Sequence, residues 1–505
     1  MCGIAAQYGN PDVQAGERML ERLVHRGPDD QGSVAVGDAW LGHRRLSIVD
    51  VEGGAQPLAG EPGGLWLVGN GEVYNHAEVC ATLADRTFRT KSDNEVALHL
   101  LEERGPDALC ELEGMFAFAA ASADGRFIAA RDPVGIKPLY WAQRDGDVRF
   151  ASEMRTFDAD WLPLVRAFPP GCYWTPAGGV QRFARAAPLT HHEGADATHP
   201  DPPQEALDLT RDELIAAVHR QMMGDVPVGV FLSGGLDSSL VAAIAAEYLR
   251  ERGERLMTFA VGTDGSPDLE AARFVAEHLD TDHYERVYTA QDAVDVVPEV
   301  VRTIESFDPS LVRSAVPNYL LAELTSKHVK VVLTGEGADE LFAGYEYLRE
   351  LDDDALHSEL VRTIEGLHNL NLQRCDRVTM AHGLEARVPF LDTALIRFAL
   401  ALPPDWKLAD ADRPEKRLLR EAFIGWMPDR FLWREKSQFG DGSGASAVLK
   451  DRYERSVTTA ELEAESNEVE PPLRTREELA YWRMLRDDLE GVETGETIGR
   501  FATAA

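Results

Sequence analysis

The chain carries two textures of hydrophobic and polar positions. Up to about Phe183, short β-like runs recur between glycine turns: Leu65–Gly69, Phe116–Ala120, Arg126–Arg131 and Lys137–Gln143. Such runs, bounded by turn residues, predict antiparallel sheet with a few helices. From Ala206 the texture changes. Val226–Leu232, Leu256–Gly262 and Val329–Thr334 are nearly continuous apolar runs, the pattern of strands buried on both faces. Pro227 has to stand at the start of the first, because proline cannot donate to a ladder. Between these runs, Asp237–Glu251, Leu269–Leu279 and Ala315–Thr325 carry apolar residues at helical spacing. Beyond Val361 the pattern is mostly helical and ends in Arg476–Leu489, interrupted by the acidic, poorly periodic Ala460–Glu470. Strand and helix in alternation predict an α/β domain with a parallel sheet.

At 505 residues the chain exceeds one compact core, and two domains are expected. Ala184–Glu205 holds four prolines and little apolar content, so it reads as a linker between residues 1–183 and 206–490, with 491–505 as a frayed tail. The 51 basic and 86 acidic residues give a net charge of −35, which repels phosphate backbones and anionic membrane surfaces. A nucleic-acid or membrane-surface function is excluded on that ground. The apolar runs fall far short of the roughly 20 residues that span a bilayer. Met1-Cys2-Gly3-Ile4 lacks the basic and apolar regions of a secretory signal. The cysteines at 2, 80, 110, 172 and 375 are few and widely spaced, which argues against a disulfide framework and for a reducing cytoplasm.

Cys2 is the first candidate for chemistry. Removal of Met1 would leave it as the amino terminus, where an α-amine of pKa about 7.7–8.0 can act as base toward its own thiol. His25-Arg26-Gly27-Pro28-Asp29-Asp30 is a polar loop, and His43-Arg44-Arg45 sets a guanidinium at the edge of a β-like run. Asn70-Gly71-Glu72 follows a strand, where the Asn70 amide and the Gly71 N–H can donate to a developing oxyanion. Ser92-Asp93-Asn94-Glu95 adds carboxylates that could hold an ammonium. Over about 180 residues this order and spacing resembles the glutaminase domain of class II amidotransferases, which implies an α+β N-terminal-nucleophile (αββα) fold. The resemblance implies that Cys2 attacks the glutamine amide, that Asn70 and Gly71 form the oxyanion hole, and that Arg45, Ile48, Val49, Asn70, Glu72 and Asp93 bind glutamine. His25 is expected to shape its loop, and Asp29 and Asp30 to be structural.

The second candidate is Phe231-Leu232-Ser233-Gly234-Gly235-Leu236-Asp237-Ser238-Ser239, which joins a buried strand to an amphipathic helix. Small residues let the backbone approach an anion, and the helix N-terminus favours negative charge. It resembles the loop of ATP pyrophosphatases, so Ser233, Gly234, Gly235 and Ser238 are expected around the pyrophosphate of ATP. Asp237 is expected to share Mg2+ with it, since hard cations prefer carboxylate and phosphate oxygens. A second strand end carries Thr334-Gly335-Glu336-Gly337-Ala338-Asp339-Glu340, with Asp339 the natural second Mg2+ ligand. Glu336 faces the same crevice if both strands end on one side of the sheet. Lys436 could supply charge for the phosphates.

Most of Val226–Gly442 resembles asparagine synthetases of the glutamine-hydrolysing type, including Phe259–Gly262, Gly383–Asp392 and Lys436–Gly442. That resemblance implies that Leu232, Val261 and Gly335 contact ATP, that Glu336 assists formation of an aspartyl-adenylate, and that Lys436 binds phosphate. Glu385 and Arg387 are expected to form a structural or inter-domain pair. Fusing the halves implies a dry ammonia passage, with Met115 and Phe116 among its lining. The expected partners are the small molecules glutamine, aspartate and ATP, with homodimerisation by analogy alone. One position departs from the family's Thr-Thr-aliphatic-Arg acceptor segment: Asp308-Pro309-Ser310-Leu311-Val312-Arg313 keeps Arg313 for the acceptor carboxylate, but Leu311 cannot donate a hydroxyl hydrogen bond. The alternative is a related amide synthetase acting on another carboxylic acid. A ligand sensor on the same fold would predict loss of Cys2, Asp237 or Asp339, and all three are present.

Overall fold

The computed structural model describes residues 2–187, 201–408, 414–434, 444 and 446–501. In the first half, the β-like runs build two six-stranded antiparallel sheets. One runs Arg166–Ala167, Tyr140–Arg144, Asp147–Ala151, Gly3–Tyr8, Ala39–Arg45, Asp30–Val36 from edge to edge. The other runs Gly179–Arg182, Cys172–Thr175, Phe127–Arg131, Gly114–Ala121, Trp66–Val73, Leu58–Ala59. Side chains alternate across a strand. One face of each sheet therefore meets the other in a dry layer that includes Ile4, Ala6 and Leu41 opposite Val68, Ala117, Ala119 and Ala129. The outer faces are covered by helices. Val13–Glu21, started by the Asp12 side chain on two N–H groups, brings Met19 and Leu20 to the first sheet. Asn94–Arg104 covers the second with Val96, Leu100 and Leu101. The stack is the αββα architecture expected.

The second half is built on a five-stranded parallel sheet in the order Asp282–Val287, Met257–Gly262, Val228–Phe231, Val331–Leu333, Glu385–Arg387. The first strand in the chain lies in the middle, beginning just after Pro227. Strand order reverses between it and Val331–Leu333, so a crevice opens beyond the C-terminal ends of those two strands. Helices Leu236–Arg250, Pro267–Leu279 and Pro309–Thr325 flank the sheet; the last two begin with proline behind capping Ser266 and Asp308.

Three sequence expectations change. The helix Thr459–Glu465 runs into the stretch Ala460–Glu470, begun by a reciprocal Thr458–Glu461 capping box that a hydrophobic pattern does not register. The tail expected to fray from Gly491 packs as far as Phe501. Thr497 and Ile498 are buried, and Arg500 donates to Glu478 and to the carbonyls of Pro471 and Pro472. Phe116 does not share the seam with Met115. The two are neighbours on one strand, so Met115 joins a core with Leu46, Ile48, Leu232 and Leu236, while Phe116 points into the layer under Asn94–Arg104. Most of the expected linker, residues 188–200, lies outside the described residues; the next helix begins at Gln204.

Candidate active sites

Cys2 precedes the central strand Gly3–Tyr8, and its backbone N–H donates to Asn70 Oδ1 at 3.0 Å. Its thiol faces the Leu46 carbonyl at 3.9 Å, and burial pushes the thiol above its ordinary range. Asn70 is fully buried, and its Nδ2 has no hydrogen-bond partner among the described residues. A buried amide donor of this kind is costly unless a ligand accepts from it. Gly71 follows with φ of +146°, and a Cβ there would lie 1.9 Å from the Met115 carbonyl, so only glycine fits. Asn94 Nδ2 fixes this turn by donating to the Gly71 carbonyl at 3.0 Å.

Two buried carboxylates, Glu72 and Asp93, neighbour each other, and Glu72 lies within electrostatic reach of the thiol. Glu72 is pushed well above the usual carboxylate range by burial and then by Glu385 and Asp93, with Arg387 opposing. Burial also raises Asp93, although it accepts from the Val73 N–H at 2.6 Å. Such a pair gains from an ammonium placed between it. Arg45 donates to the carbonyls of Val49, Asp50 and Val51 at 3.2, 2.6 and 3.1 Å, so it braces the loop around the site. The Ile48 carbonyl accepts from the Asp225 N–H of the other half at 2.9 Å. His25 lies 3.0 Å from Glu153, in the seam rather than at the thiol. Asp29 accepts from the Ser47 N–H at 2.8 Å and from Lys330 at 2.7 Å, a structural tie, while Asp30 is exposed on a strand.

In the second half a cavity of about 1100 Å³ is lined by Leu232, Ser233, Gly235, Asp237, Ser238, Val261, Thr334, Gly335, Glu336 and Asp339 among others. Ser233 and Ser238 lie 3.0 Å apart through their hydroxyls. Gly234 has φ of +71°, and a Cβ there would meet Ala271 at 2.5 Å. The helix Leu236–Arg250 starts at Gly235 with no side-chain cap, which leaves its first N–H groups facing the loop. A Cβ on Gly335 would lie 2.9 Å from Asp237 Cβ, so the two loops approach closely. Asp237 and Asp339 converge on one ammonium: Lys416 Nζ stands 2.5 Å from Asp237 Oδ2 and 2.7 Å from Asp339 Oδ1. Two hard oxygen donors directed at one point fit Mg2+, which takes one or two carboxylates and completes its shell with phosphate and water. Glu336 pairs with Arg374, and Glu340, pushed up to about 7 by burial and by Asp339, accepts from the Tyr345 hydroxyl at 2.6 Å.

The acceptor end of the cavity carries an internal ion pair. Arg313 lines the cavity but is forked onto Glu477, with Nε 3.0 Å from Oε1, and Tyr481 holds that carboxylate at 2.8 Å. A bidentate clamp on a substrate carboxylate would first have to displace this internal one. Leu311 is 1% exposed within the core, whereas Ser310 and Ser314 line the cavity. Lys436 lies outside the described residues. Sequence reasoning missed Lys416, since a lysine amid Pro414-Glu415-Lys416-Arg417 has no distinguishing pattern. It also missed Arg374, which sits on a helix with no glycine-rich signature.

Glu385 and Arg387 pair within the second half, and Arg387 also reaches across to the first half. Arg387 donates to Glu385 at 2.6 Å and to the carbonyls of Gln221 and Met223, and it lies 3.7 Å from Glu72 of the first half.

A glutamine amidotransferase domain profile matches residues 1–164, and an asparagine synthase profile matches residues 209–353 and 348–482. The class is thus a glutamine amidotransferase fused to a synthetase. Arabidopsis thaliana asparagine synthetase [glutamine-hydrolyzing] 2 is 41% identical over 487 residues, covering 92% of this chain and 83% of that protein. The Asparagus officinalis asparagine synthetase [glutamine-hydrolyzing] is 41% identical over 510 residues, covering 96% and 85%. The chain belongs to the asparagine synthase family. Among solved structures it is similar to the B. subtilis glutamine phosphoribosylpyrophosphate amidotransferase, with a TM-score of 0.33, 20% identity, and coverage of 57% of this chain and 81% of that one. Among the described residues, no helix is long and apolar enough to cross a membrane.

Proposed function

We propose that this chain makes asparagine from aspartate, using ATP and nitrogen taken from glutamine, and releases glutamate, AMP and pyrophosphate. The observation that carries this reading is the likeness to glutamine-hydrolysing asparagine synthetases across both halves, at 41% identity over 92% of the chain. In this reading residues 1–183 form the glutaminase unit, 184–205 the connector and 206–490 the synthetase unit.

Removal of Met1 frees the α-amine of Cys2, which takes the thiol proton. The sulfur attacks the glutamine side-chain carbonyl, and Asn70 Nδ2 with the Gly71 N–H stabilises the oxyanion. Glu72 and Asp93 hold the glutamine ammonium, while Arg45, Ile48 and Val49 shape the pocket. Ammonia departs along the seam beside Met115, and water releases glutamate from the thioester. In the second half Ser233, Gly234, Gly235, Ser238 and Thr334 surround the pyrophosphate, with Leu232, Val261 and Gly335 around the rest of ATP. Asp237 and Asp339 would hold Mg2+, which neutralises phosphate charge when bound. Lys416 adds a fixed positive charge, and Lys436 joins it in this reading. Glu336 assists attack of the aspartate β-carboxylate on the α-phosphorus, and ammonia then displaces AMP from the β-aspartyl-AMP.

Another carboxylic acid as acceptor loses its main support, because Leu311 is buried in the core and Ser310 and Ser314 line the cavity instead. We carry cytoplasmic location and homodimerisation with this reading; light scattering tests the latter. The deciding assay incubates the protein with glutamine, Mg2+-ATP and aspartate and quantifies all products. Equimolar asparagine, AMP and pyrophosphate is expected. Glutamate without asparagine would sink aspartate as the acceptor. Cys2→Ala should abolish glutamine use and spare synthesis from ammonium salts.

A further inference from the structure

One helix, Asn371–Met380, touches both sites. Its Arg374 pairs with Glu336 in the nucleotide crevice. Two residues on, Asp376 accepts from Arg26 Nη1 at 2.8 Å and from Nη2 at 3.2 Å. The Nε of that same guanidinium donates to the Cys2 carbonyl at 3.1 Å, so Arg26 holds the backbone of the nucleophile. Arg377 anchors the helix further, 2.9 Å from Glu153 of the first half and 3.0 Å from Glu305. Arg26, Glu153, Glu305, Asp376 and Arg377 are each 4% exposed or less.

Arg374 and Asp376 are separated by about 3 Å along one helix axis, so a shift of the helix at one carries the other. Arg26 is fully buried, where an ion pair broken on one side cannot be replaced by water. The chain of contacts therefore runs unbroken from Glu336 to Cys2: one ion pair, two helical residues, one bidentate pair and one hydrogen bond.

We propose that Asp376 is a positioning residue for Cys2, and that this helix couples glutamine hydrolysis to occupancy of the synthetase crevice. The proposal rests on the function given above. When ATP and aspartate engage Glu336, its partner Arg374 shifts, Asp376 moves with the helix, and Arg26 resets the Cys2 backbone against Asn70. Glutamine hydrolysis then rises only when an acyl acceptor is being made.

The test is Asp376→Asn in the full chain, with Asp376→Glu beside it. Glutamate release is measured with and without Mg2+-ATP and aspartate, together with synthesis from ammonium chloride and the thermal midpoint. In wild type, ATP with aspartate should stimulate glutamate release. In the Asn variant the stimulation should vanish and kcat/KM for glutamine should fall about 10- to 100-fold, the scale of a small misplacement of reacting groups. Ammonium-dependent synthesis should be kept. Asp376→Glu, which retains the charge on a longer arm, should restore part of the loss, and it decides the matter if the Asn variant does not fold. Parallel loss of both activities with a lowered midpoint, unchanged stimulation in the variants, or a wild type indifferent to ATP and aspartate would each overturn the proposal. A wild type that makes no asparagine from ammonium would instead overturn the function on which it rests.

Discussion

Asn70→Ala separates the two chemistries of this chain most sharply. Asn70 is fully buried; its Oδ1 accepts the Cys2 N–H at 3.0 Å, and its Nδ2 has no partner among the described residues. Leaving such a donor unsatisfied costs about 1–3 kcal/mol, a cost recovered when an oxyanion forms opposite it. Removing one oxyanion donor costs about 2.7–4 kcal/mol, or roughly 100- to 1000-fold in kcat. Stability should change little, because the alanine relieves the orphaned Nδ2 while orphaning the Cys2 N–H, two effects of similar size and opposite sign. The donor acts mainly on the transition state, so KM for glutamine should move much less than kcat. Glutamate release at saturating glutamine gives kcat, and asparagine formation from ammonium chloride reports the untouched half. Asn70→Asp, which keeps the acceptor and loses the donor, should show a loss at least as large. A loss of kcat below about tenfold would refute the oxyanion assignment, as would an equal fall in ammonium-dependent synthesis.

Two further outcomes follow from buried charge. Arg387→Leu takes from Glu385 its hydrogen-bonded guanidinium and from Glu72 its opposing charge, so unfolding free energy from urea titration should fall by about 3–5 kcal/mol; a loss under about 1 kcal/mol would show that the pair is not desolvated. His43 and His368 are held neutral, pushed down to about 3, chiefly by burial. Their folded values lie below the ordinary 6.5, so the unfolded chain binds more protons between the two. Their stabilisation is therefore complete above pH 6.5 and is lost as pH falls toward 3, at roughly 1.4 kcal/mol per pH unit for each. Urea titrations at pH 7, 6 and 5 should show this decline, and His368→Gln should make it shallower; a flat profile would contradict it.

What was legible in the sequence was whatever depends on local pattern. The three apolar runs became central strands because burial on both faces leaves no polar positions to dilute them. The strands they missed are the sheet's two edges: Asp282–Val287 carries Asp282, Glu285 and Arg286 and has no fully buried residue, and Glu385–Arg387 has three residues, two of them charged. The glycines of both loops were readable because a missing Cβ is the requirement itself. Lys416 and Arg374 were not, because their meaning lies in partners far along the chain: Asp237 and Asp339 for one, Glu336 for the other. The pairing of Arg313 with Glu477 was hidden for the same reason, the two being 164 residues apart.

The seam between the halves explains why such long-range pairs collect there. Apolar contact alone would hold two domains together without setting their register, since hydrophobic attraction has no direction. Glu305 fixes register by accepting from the N–H groups of Met154 and Arg155 at 3.0 and 2.7 Å while pairing with Arg377, and Arg387 does the same beside Glu72. Buried ionic pairs gain little net stability over apolar packing, but they penalise every misalignment that leaves a charge unmatched. An enzyme that passes ammonia between two sites needs that penalty more than it needs the stability. In the reading proposed above, a seam that slipped would open the ammonia route to water, where ammonia becomes ammonium and stops being a nucleophile.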